Sequence, residues 1–209
     1  MLKGSGQITI FDGAVGTELY ERGFYINRPF EELNINAAND VLAVHSSYID
    51  AGADLLTTNT FSITRPQLKR FDIEGDQEKL LTAGLKIANQ ARNAAGVSQK
   101  VKLGLSIGPL GVLVEPLGPY GLDEARGDYA EVARLAGIMA KEVGLDAHVT
   151  VRAAFLHDIG KAIDREMQGT HLELGIDFLR KHGESEPVVM AMAAHHMDID
   201  WPSLEAMLV

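Results

Sequence analysis

Apolar residues recur along the chain at two different spacings, and the change from one to the other divides the sequence. Gln7 to Phe11 predicts a short strand. Asn39 stands where an N-cap is expected, and Val41, Val44, Tyr48 and Ala51 then share one face. A helix is therefore expected to about Ala51, with Gly52 as its stop. Leu55 to Thr58 predicts a second strand, Gln77 to Ala95 a second helix, and Lys102 to Ile107 a third strand closed by Gly108-Pro109. Strand, helix, strand, helix, strand at this spacing is the pattern of βα units around a parallel sheet. From about Asp123 no strand is expected and helical spacing takes over. Val132, Leu135, Ala136, Met139 and Val143 form a stripe that Gly144 ends. A second helix runs from about His148 to Leu156 and delivers His157-Asp158. Thr170 with Glu173 makes a capping box, which puts His171 in the first turn of a helix that ends at Gly183. Pro187 suits the first turn of a fourth helix, with His195-His196 at its end, and Pro202-Ser203 opens a last one.

Charge and composition narrow the functions open to such a chain. The 209 residues carry a net charge of −10, with 12 basic and 16 acidic residues before residue 130 and 7 and 13 after it. Neither half offers a basic face for a phosphate backbone, so a strong nucleic-acid surface is not expected. A bound divalent cation is what would bring a phosphate to so acidic a chain. There is no cysteine, which excludes disulfides and thiolate metal sites. The first thirty residues lack a basic-then-apolar leader, and no apolar run is long enough to span a bilayer. The expectation is a soluble, cytoplasmic protein without membrane contact.

The stretch with the most chemistry is Phe155-Leu156-His157-Asp158-Ile159-Gly160-Lys161. Neighbouring side chains on a helix diverge, so His157 and Asp158 converge on one point only with something between them. A metal ion is the usual candidate, since zinc, manganese and iron accept imidazole nitrogen and carboxylate oxygen together. His171, His195 and His196 follow at suggestive places. Against this stands a plainer reading, in which His157-Asp158 is a polar helix end, His171 a helix-start residue and His195-His196 a solvated helix end. Earlier in the chain, Gly13 and Gly16 directly after a strand serve either a plain strand-to-helix turn or close backbone approach to a ligand. His45, His148 and His182 read as surface or boundary residues.

Two groups of motifs carry resemblances. Phe11-Asp12-Gly13-Ala14-Val15-Gly16-Thr17-Glu18-Leu19, Glu31-Glu32-Leu33-Asn34, Ala51-Gly52-Ala53-Asp54, Thr57-Thr58-Asn59-Thr60-Phe61 and Ser106-Ile107-Gly108-Pro109 resemble the homocysteine S-methyltransferase family. That resemblance implies a (β/α) barrel with substrate at the carboxyl ends of its strands. It further implies that Asp12 holds the homocysteine amino group, that the turn from Gly13 to Thr17 approaches its carboxylate, and that Asn59 and Thr60 line the same mouth. Glu131-Val132-Ala133-Arg134-Leu135-Ala136-Gly137, Leu156 to Asp164, Gly169-Thr170-His171, Ala194-His195-His196 and Ala206 to Val209 resemble the HD superfamily of metal-dependent phosphohydrolases, in particular the HD domain of ribonuclease Y. The resemblance implies that His157 and Asp158 bind a divalent metal that activates water against a phosphodiester. It implies that Lys161 meets phosphate oxygen, and that His171, His195 and His196 hold a second metal or contact substrate.

Each resemblance has a departure. The methyltransferase family activates the homocysteine thiol on a zinc held by cysteines, and this chain has none. The HD family's first metal-binding histidine is replaced by Asp128, and its last metal-binding aspartate falls beyond Val209. Asp128 either stands in for the missing imidazole or is an N-cap or first-turn acid on the helix dipole. The expected fold class is α/β, with a partial (β/α) barrel-like part over residues 1–126 followed by an all-α, truncated HD-type part over 127–209. The expected function is a metal-dependent phosphohydrolase or phosphodiesterase weakened by lost ligands, with Asp158 and Lys161 catalytic and manganese, iron, zinc or magnesium as the ion. A homocysteine-binding fragment without its zinc, and an inactive recombined scaffold, are the alternatives. The substrate is a small molecule or a phosphodiester. Three strands leave sheet surface uncovered, so the helical part or a second copy of the chain is expected to cover it.

Overall fold

The computed structural model describes residues 10–25, 27–108, 110–116, 118–142, 144–157, 159–162, 169–194 and 203. The chain divides into two units, Thr9–Asp128 and one that holds Tyr129–Val209. Helix α6, Leu122–Glu142, crosses the division.

The first unit contains α1 (Val15–Glu21), α2 (Leu33–Asn36), α3 (Ala38–Asp50), β1 (Leu55–Thr57), α4 (Arg65–Lys69), α5 (Gln77–Ala94) and β2 (Lys102–Gly104). Its core forms where the apolar stripe of α3, Val41 and Val44, meets Val15 and Leu19 of α1 and Ile87 of α5. Along α5 the buried positions Leu80, Leu81, Gly84, Leu85, Ile87, Ala88 and Ala91 repeat at helical spacing. Asn39 is not the cap of α3. The chain enters from Ala37 without a side-chain cap, and the first-turn N–H of Asp40 donates to the Ala37 carbonyl at 3.0 Å instead. Gly52, at φ +95°, ends the helix in the left-handed region that glycine enters without penalty.

Strands β1 and β2 are parallel, with Leu55, Leu56 and Thr57 opposite Lys102, Leu103 and Gly104. Leu55 and Leu56 are both fully buried, as expected of a parallel strand covered on both faces. Phe11 bridges to Leu55 in parallel. The three strands expected from the sequence are thus, among the described residues, a two-stranded sheet with one flanking bridge; residues 7–9 lie outside them. The strands also end sooner than expected. Thr58 N–H still reaches the Gly104 carbonyl at 3.0 Å, but Thr60 N–H then turns back to Thr58. The Ser106 carbonyl is taken by the Thr60 hydroxyl at 2.8 Å, and Gly108 N–H donates to Phe61 at 2.7 Å. Side chains and turns satisfy the backbone there, and the freed loops wall a cavity.

In the second unit, α7 (Ala147–Leu156), a 3-10 turn (Ile159–Ala162), α8 (His171–Lys181) and α9 (Glu186–Ala193) follow α6, with no strand among the described residues. Asp146 caps α7, accepting from the N–H groups of His148 and Val149 at 2.8 and 3.3 Å. The expected capping box opens α8, with Thr170 and Glu173 bonded reciprocally. Ala153, Leu179, Val188, Val189, Ala191, Met192 and Ala194 form the core, and Val149, Leu156, Ile159, Leu172, Ile176 and Phe178 pack on it. In the part of α6 that belongs here, Ala133, Leu135, Ala136, Met139 and Ala140 are buried, close to the expected stripe. The last expected helix, from Pro202, lies outside the described residues apart from Ser203.

Candidate functional sites

Where β1 ends, a cavity of about 310 Å³ opens among the turn Gly13–Gly16, Phe30, Glu31, the loop Thr57–Ser62 and Ser106. Asp12 is tied to one of its walls. Its Oδ2 accepts from Thr57 N–H at 2.8 Å, and its Oδ1 accepts from the Thr57 hydroxyl at 3.0 Å. Burial pushes the Asp12 carboxyl up to about 6, in spite of the hydrogen bonds from Thr57 that pull it down. A Cβ on Gly13 would stand 2.7 Å from the Tyr48 hydroxyl, so a larger residue there requires the Tyr48 side chain to shift.

The opposite wall is a locked polar network. Asn59 donates to the Phe30 carbonyl at 2.8 Å and to Asn34 Oδ1 at 2.9 Å, while Asn34 donates back to the Asn59 carbonyl at 2.8 Å. Gly84 makes room for this clamp, since a Cβ there would lie 2.8 Å from Asn34 Nδ2. Thr60 gives its proton to the Ser106 carbonyl, so the 2.7 Å contact between the Thr58 and Thr60 hydroxyls has Thr58 as donor. Asn59 and Thr60 line the cavity, yet their donors are spent on the protein; they shape the wall rather than reach across it.

Glu31 is the residue that reading from the sequence missed. It is 2% exposed. Its Oε1 accepts from Ser62 N–H at 2.5 Å, whereas its Oε2 is buried with no hydrogen-bond partner. Burial raises its pKa. The pair Glu31-Glu32 was visible as sequence, but nothing in it says which carboxylate turns inward; the 3-10 turn Phe30–Glu32 decides that.

In the second unit, α7 ends at His157. The Nδ1 of His157 lies 2.7 Å from the Ala154 carbonyl. A carbonyl only accepts, so Nδ1 is the donor in this contact. The turn after it packs on α8 through Gly160, and a Cβ on Gly160 would come within 1.6 Å of the His171 carbonyl oxygen. The backbone of the His157 turn is thereby brought against the start of α8, where His171 stands. Asp158, His195, His196 and the Lys161 side chain lie outside the described residues. Among the described residues no three His, Asp or Glu side chains gather as a metal-ligand set. Asp128, in the first unit, is neither N-cap nor first-turn acid. It lies beyond the first turn of α6, is 5% exposed, and accepts a 2.5 Å hydrogen bond from Tyr120. The Tyr120 phenol is pushed up to about 12 by burial and by Asp128.

His45, expected at a surface or boundary, is fully buried, with neither ring nitrogen hydrogen-bonded; burial lowers its pKa to about 4.

The family profile described as Homocysteine S-methyltransferase matches residues 9–155, more than half of the chain. The chain belongs to the homocysteine S-methyltransferase family. In fold it resembles the metallated form of homocysteine methyltransferase MmuM from Escherichia coli, with a TM-score of 0.52 and 21% identity over 92% of this chain and 80% of that one. This family member also matches the HD domain profile over residues 129–209, so the two matches share residues 129–155. Ribonuclease Y of Alkaliphilus metalliredigens is 51% identical over 79 residues, or 38% of this chain and 17% of that protein. Ribonuclease Y of Lactobacillus helveticus is 41% identical over 138 residues, or 63% of this chain and 25% of that protein. These matches make residues 129–209 similar to HD domains, and the chain spans a quarter or less of the length of these two relatives. No helix among the described residues is long and apolar enough to cross a membrane.

Proposed function

We propose that residues 129–209 carry a metal-dependent phosphohydrolase or phosphodiesterase centre of HD type, weakened by the loss of ligands. The observation that carries this reading is the state of His157. Its Nδ1–H is committed to the Ala154 carbonyl, which orients the ring at the end of α7. Metal-binding histidines are held in this way, by an outer carbonyl or carboxylate on the far nitrogen. The donor chemistry therefore fits a divalent ion: manganese, iron, zinc or magnesium. Asp158, His171, His195 and His196 would complete the set around His157. What such an ion supplies when bound is charge neutralisation on the phosphoryl group and a water of lowered pKa. The protein's own part is positional. Ala154 aims the imidazole, Gly160 holds the turn on α8 beside His171, and Lys161 would meet a phosphate oxygen as a point charge.

Weakness follows from Asp128. It stands where the HD family places an imidazole, and its carboxylate is engaged by Tyr120. In an assay with bis(p-nitrophenyl) phosphate and manganese, the full chain is expected to hydrolyse slowly, and His157→Ala to fall to the rate without protein. Equal rates for parent and variant would remove His157 from the centre.

A second reading rests on the cavity between Gly13 and Ser106, whose size suits a small amino acid. Binding there is proposed without methyl transfer. The zinc that activates the thiol in this family needs cysteine ligands, and a chain without cysteine does not fit it; no methyl-transfer step is derived.

A further inference from the structure

Helices α6 and α7 are joined by a short turn and meet closely at Gly137, where a Cβ would lie 2.3 Å from Cγ2 of Val151. Glycine lets the two backbones approach there. Small side chains beside the crossing, Ala130 and Ala133 of α6 and Ala147 of α7, leave the adjoining space unfilled. The result is a groove of about 810 Å³, within the size range of small-molecule sites. It follows α6 from Ala130 to Lys141, about 16 Å at the rise of a helix. Its two ends differ. With Gly137 opposite Val151, Lys141 falls beside Ala147 and His148 at the end near the turn. Ala130 and Ala133 fall toward Phe155, an aromatic ring left 49% exposed.

The rim of this groove has the opposite charge to the part of the chain that carries it. After residue 130 there are 7 basic and 13 acidic residues. Yet Arg134, Lys141 and Arg152 line the groove together with His148, and no Asp or Glu is among its described lining residues. Arg134 and Arg152 are steadied from outside it, by Glu131 at 2.7 Å and Glu184 at 2.5 Å. Lys141 has no acidic partner among the described residues. An apolar bed with cations on its rim is complementary to a molecule with an acidic head and an aliphatic tail. We propose that the groove between α6 and α7 binds a single-chain aliphatic carboxylate, its head at Lys141 and His148 and its tail over Ala133 toward Phe155. None of the described residues read above as metal ligands lines the groove, so this site is separate from the HD-type centre.

The test is calorimetric titration of the full chain with dodecanoate below micelle formation, with octanoate, and with dodecyltrimethylammonium, which keeps the tail and reverses the charge of the head. Dodecanoate is expected to bind, and each of the other two about tenfold or more weakly, one for its lost methylenes and one for its charge. Two variants locate the ligand. Lys141→Glu reverses the charge at the head, and Ala130→Trp, at an exposed position, fills the tail end. Each is expected to weaken dodecanoate about fivefold or more while its thermal melt stays close to that of the parent. Equal affinity of the parent for dodecanoate and either of the other probes would overturn the proposal, whether or not the variants fold. Unchanged dodecanoate binding in either variant would overturn the placement in this groove. A parent chain that takes up no dodecanoate would overturn the site outright; if that parent sediments as a dimer that Lys141→Glu separates, the groove belongs to a second copy instead.

Discussion

Gly160→Ala is expected to destabilise the C-terminal helices by about 3 kcal/mol or more. An added Cβ would lie 1.6 Å from the carbonyl oxygen of His171, 2.6 Å from its carbon and 3.0 Å from Gly175 N. All three are backbone atoms, so no rotamer change relieves the overlap, and either the turn Ile159–Ala162 or α8 has to move. Gly175, itself 3.4 Å from Gly160 N by the same measure, is the other half of this close crossing. Gly127, exposed within α6, is the control. A Cβ there meets nothing within 4 Å, and Gly→Ala inside a helix stabilises by roughly 0.5–1 kcal/mol. Thermal melts are expected to fall by about 10 °C or more for Gly160→Ala and to rise by a few degrees for Gly127→Ala. A Gly160→Ala melt like that of the parent would show that the turn does not cross α8 as described.

Removing His45 is expected to change how stability depends on pH. In the folded chain burial lowers this histidine to about 4, while the unfolded chain takes up the proton near 6.5. Between those values the unfolded state binds a proton that the folded state refuses. His45 therefore withdraws stability as pH falls from about 6.5 to 4, about 3 kcal/mol in all. Asp12 has the opposite sign. Its folded pKa is raised to about 6, so the folded state keeps a proton that the unfolded state gives up. It withdraws stability as pH rises from about 4 to 6, and by less, because solvent reaches it in part. Glu31, also raised by burial, acts in the same direction as Asp12.

The two trends oppose each other in nearly the same window and hide one another in the parent. Relative to the parent, His45→Leu is expected to lose stability as pH rises from 4 to 6, and Asp12→Asn to gain it. His45→Leu is also expected to be about 1–3 kcal/mol more stable at pH 7, since two unsatisfied buried nitrogens are replaced by apolar volume. Denaturant midpoints measured across this pH range check the claim; parallel profiles for both variants and the parent would contradict it.

The helices were largely legible because their signals are local. The Thr170–Glu173 capping box, the stripe along α6 and the stop at Gly52 each lie within a few residues. Asp146, directly before α7, caps it, so the helix starts at Ala147, one residue before the expected His148. The strands were legible as existing, not as ending. Their ends depend on Thr60 reaching Ser106 across 46 positions, which no local pattern encodes. His45 was misplaced although it sits four residues after Val41, on the apolar face; the residue type outweighed the spacing. Glu31 stands in the motif Glu31-Glu32-Leu33-Asn34, but its burial follows from a tertiary contact with Ser62 that no local pattern encodes. Neither role expected of Asp128, ligand or helix-dipole acid, anticipates its hydrogen bond with Tyr120, eight residues back in the chain.

The measurement that bears most directly on the HD-type centre is metal titration of the parent chain and of a His157→Ala, Asp158→Ala double variant. Calorimetry with manganese and with zinc gives a readout independent of turnover. The parent is expected to bind divalent ion weakly, because the imidazole expected at Asp128 is missing, and the double variant is expected to lose that binding. Equal uptake by parent and double variant would contradict the metal centre and leave residues 129–209 an inherited helical scaffold.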